Sequence, residues 1–199
     1  MEPRRELVRS SAALVGLGAL CGVAWAAALR AYMIELAGAE SAFDWWGTVG
    51  AILVPGAVVG ALLGWAEDIR RRGGRPGWRW LALAPLLLAI APMLLPGALV
   101  DFVTQGLGGG AVGVALMAIA GGYAISSRVP VAARAVCGIL SGAVLVGLII
   151  SPPFIGGADL AVTEPRGLWL AILAGSLGAL IIVASSIPHR MPVVANHAL

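Results

Sequence analysis

Residues 46–79 read WGTVGAILVPGAVVGALLGWA and then EDIRRRGGRPGWR. The first 21 residues carry no charge, and as a helix they would reach about 32 Å. That is enough to cross the roughly 30 Å hydrocarbon core of a bilayer. The 13 residues that follow hold five arginines, two acids, three glycines and a proline, a composition that ends a helix and places charge at a membrane surface. A charge-free run of spanning length closed by a basic loop predicts a membrane-spanning helix.

The same alternation recurs on both sides of this stretch. It predicts six spans, at about 10–29, 46–66, 80–100, 102–125, 135–150 and 167–187, within a single integral membrane domain covering 1–199. The chain is 60% hydrophobic and 12% charged, about half the charge of an ordinary soluble domain, and its mean hydropathy is +0.96. The expected fold is an all-α polytopic membrane helical bundle, with the lipid bilayer as its first partner. A net charge of +3 with the basic residues set between apolar runs points to topology and away from nucleic acid.

Every one of the 13 basic residues is arginine. With the N-terminus inside, the inner segments hold Arg4, Arg5, Arg9, Arg70, Arg71, Arg72, Arg75, Arg79, Arg128, Arg134 and Arg190, leaving only Arg30 and Arg166 outside. Glu35, Glu40, Asp44, Asp101, Asp159 and Glu164 fall on the outer side. This asymmetry predicts both termini in the cytoplasm of a cell (inner or plasma) membrane. Trp45, Trp46 and Trp169 fall at outer ends, Trp65, Trp78 and Trp80 at inner ends, and Trp25 within a span near its outer end, so interface anchoring is expected for all seven. Arg4, Arg5 and Arg9 precede an apolar run longer than a signal-peptide core, so a retained first helix is expected. Cys21 and Cys137 lie in apolar runs and read as small buried hydrophobes without a disulfide.

Local signals set candidate boundaries and sites. Asp44 reads as the N-cap of the second span, and Thr163 with Pro165 as the start of the sixth. Gly56, Gly60 and Gly64 form a small-residue ladder on one face of the second span, suited to close packing inside the chain or to a homo-oligomer seam. Gly18 and Gly22, and Gly138 and Gly142, repeat the spacing. Pro85, Pro92 and Pro96 share a stripe of the third span, and each frees a carbonyl one turn earlier, which either kinks the helix or lines a cavity.

The outer acids are the candidate functional carboxylates. Glu40 and Asp44 share a helical face if the segment is helical, Glu35 lies five residues past Arg30, and Asp101 ends the proline span. Converging, they would form a cation-attracting mouth or a proton-transfer pair. The alternative is a solvated rim in which Arg30 neutralises Glu35. Both histidines, His189 and His197, lie in the tail, so no metal-ligand spacing is present and neither metal nor cofactor is expected. The glycine-rich 106–113 lacks the lysine and hydroxyl of a phosphate loop.

Two likenesses bear on family. Glu67-Asp68-Ile69-Arg70-Arg71-Arg72 loosely resembles the EExxxR element of intramembrane CAAX-type proteases, but the intramembrane histidines those enzymes need are missing. Arg30-x-Tyr32-Met33 followed by Phe43-x-Trp45-x-Gly47-Thr48 and an arginine-rich loop resembles a group of uncharacterised small multi-pass membrane proteins of high-GC bacteria. Glu35 departs from that pattern. The resemblance implies a multi-pass helical fold and no mechanism. The all-arginine, Ala- and Gly-rich composition suits a GC-rich bacterial genome.

Three functions follow as expectations. The first is a non-enzymatic membrane component binding a partner or lipid. The second is a small oligomeric transporter or channel with a polar cavity lined by Pro92, Pro96 and Asp101. The third is a membrane enzyme acting on a lipid or isoprenoid through Glu35, Glu40, Asp44 or Asp101.

Overall fold

A computed structural model describes residues 2–95, 97, 98, 100, 109–126 and 130–193, with side chains from residue 11 onward except that of Glu40. Every regular element among the described residues is helical. The α-helices are α1 (Glu2–Ala37), α2 (Val54–Arg71), α3 (Leu86–Met93), α4 (Gly109–Ala124), α5 (Val131–Ile150), the short α6 (Pro152–Gly156) and α7 (Pro165–Ser185). A π-helical segment, Trp46–Leu53, runs directly into α2, and a 3-10 segment, Trp78–Leu83, leads into α3.

Among the described residues, four helical stretches are long and apolar enough to cross a membrane: Ser11–Ala37, Trp46–Arg71, Val131–Gly156 and Pro165–His189. The protein is therefore a helical bundle compatible with a membrane. α4 is apolar but has 16 residues, about 24 Å of rise, short of a full crossing on its own.

Residues 80–100 do not form one continuous helix, as a simple third span would. Pro85 has no N–H and its ring would strike the carbonyl of Leu81. The chain tightens instead, with Ala84 N donating to Leu81 O at 3.1 Å and Leu88 N to Pro85 O at 3.0 Å. Pro92 sits inside α3, and one turn beyond it Leu95 N again bonds at the shorter spacing, to Pro92 O.

Pro55 accounts for the π segment in the same way. It occupies the first turn of α2, where it denies Ala51 the usual partner, and the ladder before it opens so that Val54 N donates to Val49 O. At the other end of that segment Asp44 accepts from Gly47 N through Oδ2 at 2.5 Å, while its carbonyl takes Thr48 N at 2.8 Å. It caps the helix start through both groups.

α1 and α2 pack along glycine. An added methyl at Gly60 would overlap the Gly18 carbonyl, at Gly64 the Leu14 carbonyl, and at Gly56 the Ala26 methyl 2.5 Å away. The Gly56–Gly60–Gly64 face is thus filled by α1 of the same chain. Without a hydrophobic drive between helices in lipid, such close approach and lateral hydrogen bonds hold the bundle together. Trp25 Nε1 donates to Leu177 O (2.9 Å) on α7, Tyr32 Oη to Leu148 O (3.1 Å) on α5, and Ser141 Oγ to Met117 O (2.9 Å) on α4. The core they frame holds Val59, Leu63, Leu88, Met117, Ala118 and Ile181.

Three expectations need correction. Trp25 hydrogen-bonds into the bundle and Trp78 is buried, so neither is a surface anchor, whereas Trp45, Trp46, Trp80 and Trp169 are exposed as anchors should be. Cys21 is exposed on the side of α1 and Cys137 is half-buried, though both are free thiols. α1 continues past Arg30 to Ala37, because the Arg30 guanidinium is taken up by the segment that folds over it and so need not reach solvent.

Candidate functional site

The two ends of the bundle differ in charge, and each holds a cavity. At one end Arg70, Arg71, Arg72, Arg75, Arg79, Arg134 and Arg190 gather around the ends of α2, α4 and α7. Arg70 ties the tail down, donating through Nη1 to Met191 O (3.3 Å) and accepting from Val193 N (3.0 Å). The acids of the EDIRRR run are already engaged here. Glu67 takes Arg70 and Arg71, each at 2.7 Å, and the buried Asp68 takes Arg72 at 3.0 Å and Ser11 Oγ at 2.9 Å.

Beyond that run the basic residues lose their acids. The helix ends in a glycine turn, with Gly73 and Gly74 at φ 90° and 80° and Gly74 N donating back to Ile69 O at 2.8 Å. This turn, with Gly77 at φ 78°, throws Arg75 and Arg79 onto the rim of a cavity of about 1160 Å3. Neither guanidinium has a carboxylate partner among the described residues. Arg75 lies 5.2 Å from the Trp65 ring, which leaves its charge uncompensated. The walls are apolar, including Leu83, Leu116, Ile119, Leu140 and Val144. Tyr123 and His189 line the cavity edge to face, ring centres 5.4 Å apart. His189 Nε2 is buried without a hydrogen-bond partner, as are Ser126 Oγ and Ser185 Oγ, so no Ser–His pair is formed there.

At the opposite end a second cavity, about 750 Å3, is walled by α1, the π segment, α3, α4 and α5. Pro92 lines it, as do Leu29, Leu36, Leu95 and Leu148. Its lining is mostly apolar, unlike the polar cavity expected of a channel. Among the described residues, Arg30 and Asp44 bring the only charges to it. Arg30 donates to Ala42 O at 2.8 Å, Ser41 Oγ at 3.2 Å and Thr48 Oγ1 at 3.4 Å.

The outer acids do not form a shared site among the described residues. Arg30 does not neutralise Glu35; Arg166 does, at 3.3 Å in an exposed pair. Asp44 caps the π segment. The side chain of Glu40, and Asp101 and Pro96 entirely, lie outside the described residues. No group of three metal-ligating side chains occurs among those described.

Sequence reasoning missed Arg75, Arg79, Tyr123 and His189 as neighbours. The visible signal was that EDIRRR is self-neutralised by i, i+3 and i, i+4 pairing, which leaves the later arginines without acids. No family model, no curated protein and no solved structure matches the chain.

Proposed function

We propose that the chain is a non-enzymatic component of the cell membrane that holds an anionic phospholipid in the cavity at its arginine-rich end. The carrying observation is a large apolar cavity with two acid-free guanidinia, Arg75 and Arg79, on its rim. A phosphate headgroup would sit between the guanidinia, which are forked donors suited to phosphate oxygens, and an acyl chain would lie along Leu116, Leu140 and Val144. The exposed Trp80 suits the headgroup level beside it.

The reading includes six crossings with both termini cytoplasmic. In support, Trp78, Ala82 and Leu83 line the cavity at the arginine-rich end, while Leu88, Pro92 and Leu95 line the one at the other end. A crossing by the broken segment and a return by α4, from Gly110 to Tyr123, would account for this lining. The segregation of arginines favours an inside location for the tail end.

The test is native mass spectrometry of the detergent-purified protein. Phosphatidylglycerol should co-purify, and Arg75→Gln and Arg79→Gln should each reduce it roughly fivefold, the equivalent of about 1 kcal/mol per arginine at an anionic headgroup. Equal retention in wild type and double variant would overturn the reading.

A second reading, passage of an amphiphile through the bundle, has one observation in its favour. Both cavities run along α4 and α5, with Met117 and Val144 on the first and Val114 and Leu148 on the second, about one helical turn apart. Transfer of a fluorescent lipid between leaflets of reconstituted vesicles would decide it.

A further inference from the structure

We infer that the cavity at the acid-rich end is a second lipid site, independent of the first, that takes a zwitterionic headgroup bearing a primary ammonium, of the phosphatidylethanolamine type. Among the described residues the two charges that line it, Arg30 and Asp44, are opposite in sign and form no ion pair with one another. Arg30 is fixed by three neutral acceptors, Ala42 O, Ser41 Oγ and Thr48 Oγ1. That orients the guanidinium, leaves two of its five N–H donors over and leaves its charge uncancelled. Asp44 is exposed and spends Oδ2 on Gly47 N, and its Oδ1 has no protein partner among the described residues.

Thr48 joins the two, since its hydroxyl accepts from Arg30 and its N–H donates to the Asp44 carbonyl. Cation and anion therefore flank one turn of the π segment without forming an ion pair. A phosphate would complete Arg30 and an ammonium would complete Asp44, so a ligand carrying both neutralises the site where a purely anionic one leaves Asp44 opposed. A cavity of about 750 Å3 is within the usual range for a bound small molecule, and its apolar wall suits the start of an acyl chain. Trimethylated headgroups lack the N–H that Asp44 needs.

The experiment is lipid exchange in mixed micelles holding equal phosphatidylethanolamine, phosphatidylglycerol and phosphatidylcholine, read by native mass spectrometry. Asp44→Asn keeps the capping oxygen and removes the charge. It should lower phosphatidylethanolamine retention at least fivefold and leave phosphatidylglycerol unchanged or raised. Arg30→Gln should lower phosphatidylethanolamine as well. Arg75→Gln with Arg79→Gln should change phosphatidylglycerol alone, which separates failure of this site from failure of the other. Unchanged phosphatidylethanolamine retention in both Asp44→Asn and Arg30→Gln, or a phosphatidylcholine adduct equal to the phosphatidylethanolamine one, would overturn the assignment. Displacement by soluble phosphoethanolamine would overturn the lipid as its source, since the headgroup alone would then suffice.

Discussion

Gly60 of α2 and Gly18 of α1 approach so closely that a methyl on either would overlap the other's carbonyl oxygen. Gly22 meets Gly56 in the same way one turn along. The clashing atoms are backbone, which cannot rotate out of the way, so a side chain here must push two helices apart.

Gly60→Leu should therefore destabilise the fold itself. Overpacking a tight contact costs about 1–3 kcal/mol or more, and the expected readout is a clearly lower melting temperature in detergent. Gly16→Ala is the control, because nothing lies within 4 Å of a methyl placed there. Equal melting of Gly60→Leu and Gly16→Ala would contradict the seam. Any self-association of the chain must use faces other than Gly56, Gly60 and Gly64, which α1 already covers.

Asp68 links the beginning of one helix to the end of the next. Its buried carboxylate accepts from Ser11 Oγ on α1 and pairs with Arg72 at the end of α2, and Arg72 also donates to Ser11 Oγ. Removing Asp68 takes away the charged acceptor that Ser11 and Arg72 share, a loss of roughly 1–3 kcal/mol. Asp68→Ala and Ser11→Ala should both lower stability, and the double variant should lose less than the sum of the two. Additive losses in thermal denaturation would mean that the three side chains do not act as a unit.

The lateral hydrogen bonds should be worth less than they look. Trp25→Phe keeps an aromatic ring, though a smaller one, and removes the donor to Leu177 O. Interhelical hydrogen bonds in lipid average about 0.6 kcal/mol, so a small drop in melting temperature is expected. A large one would show that the indole also supports the cavity wall at the acid-rich end, which it lines.

How much of this was legible follows from the range of each signal. Apolar run length marks spans because it depends on neighbouring residues alone, and 46–66 and 167–187 lie inside Trp46–Arg71 and Pro165–His189. The Asp44 cap and the Pro165 helix start are equally local. Run length does not register that Pro85 interrupts 80–100, since proline scarcely lowers apolarity while it deletes a donor. The cavities were not legible, because Arg75 and His189 line one cavity only when α2 and α7 end on the same side of the bundle. The pairing of Glu35 with Arg166, 131 residues away, is long-range in the same sense, whereas Arg30, five positions off, was the nearer candidate by sequence and is drawn instead to Ala42.

Cys137 offers a direct report on the arginine-rich cavity, which it lines. It is half-buried, and the second thiol, Cys21, is exposed on α1, so a Cys21→Ala background leaves one labelling site. An acyl chain lying along Leu140 and Val144 would pass the turn of α5 that carries Cys137 and shield it. The rate of labelling by a small membrane-permeant maleimide should fall several-fold when phosphatidylglycerol is added to the detergent-purified protein. In Arg75→Gln with Arg79→Gln the lipid should no longer protect, while the rate without lipid stays unchanged because neither guanidinium bonds the thiol. Protection that persists in the double variant would place the lipid in the cavity through its acyl chains alone and remove the arginines from the recognition of its headgroup.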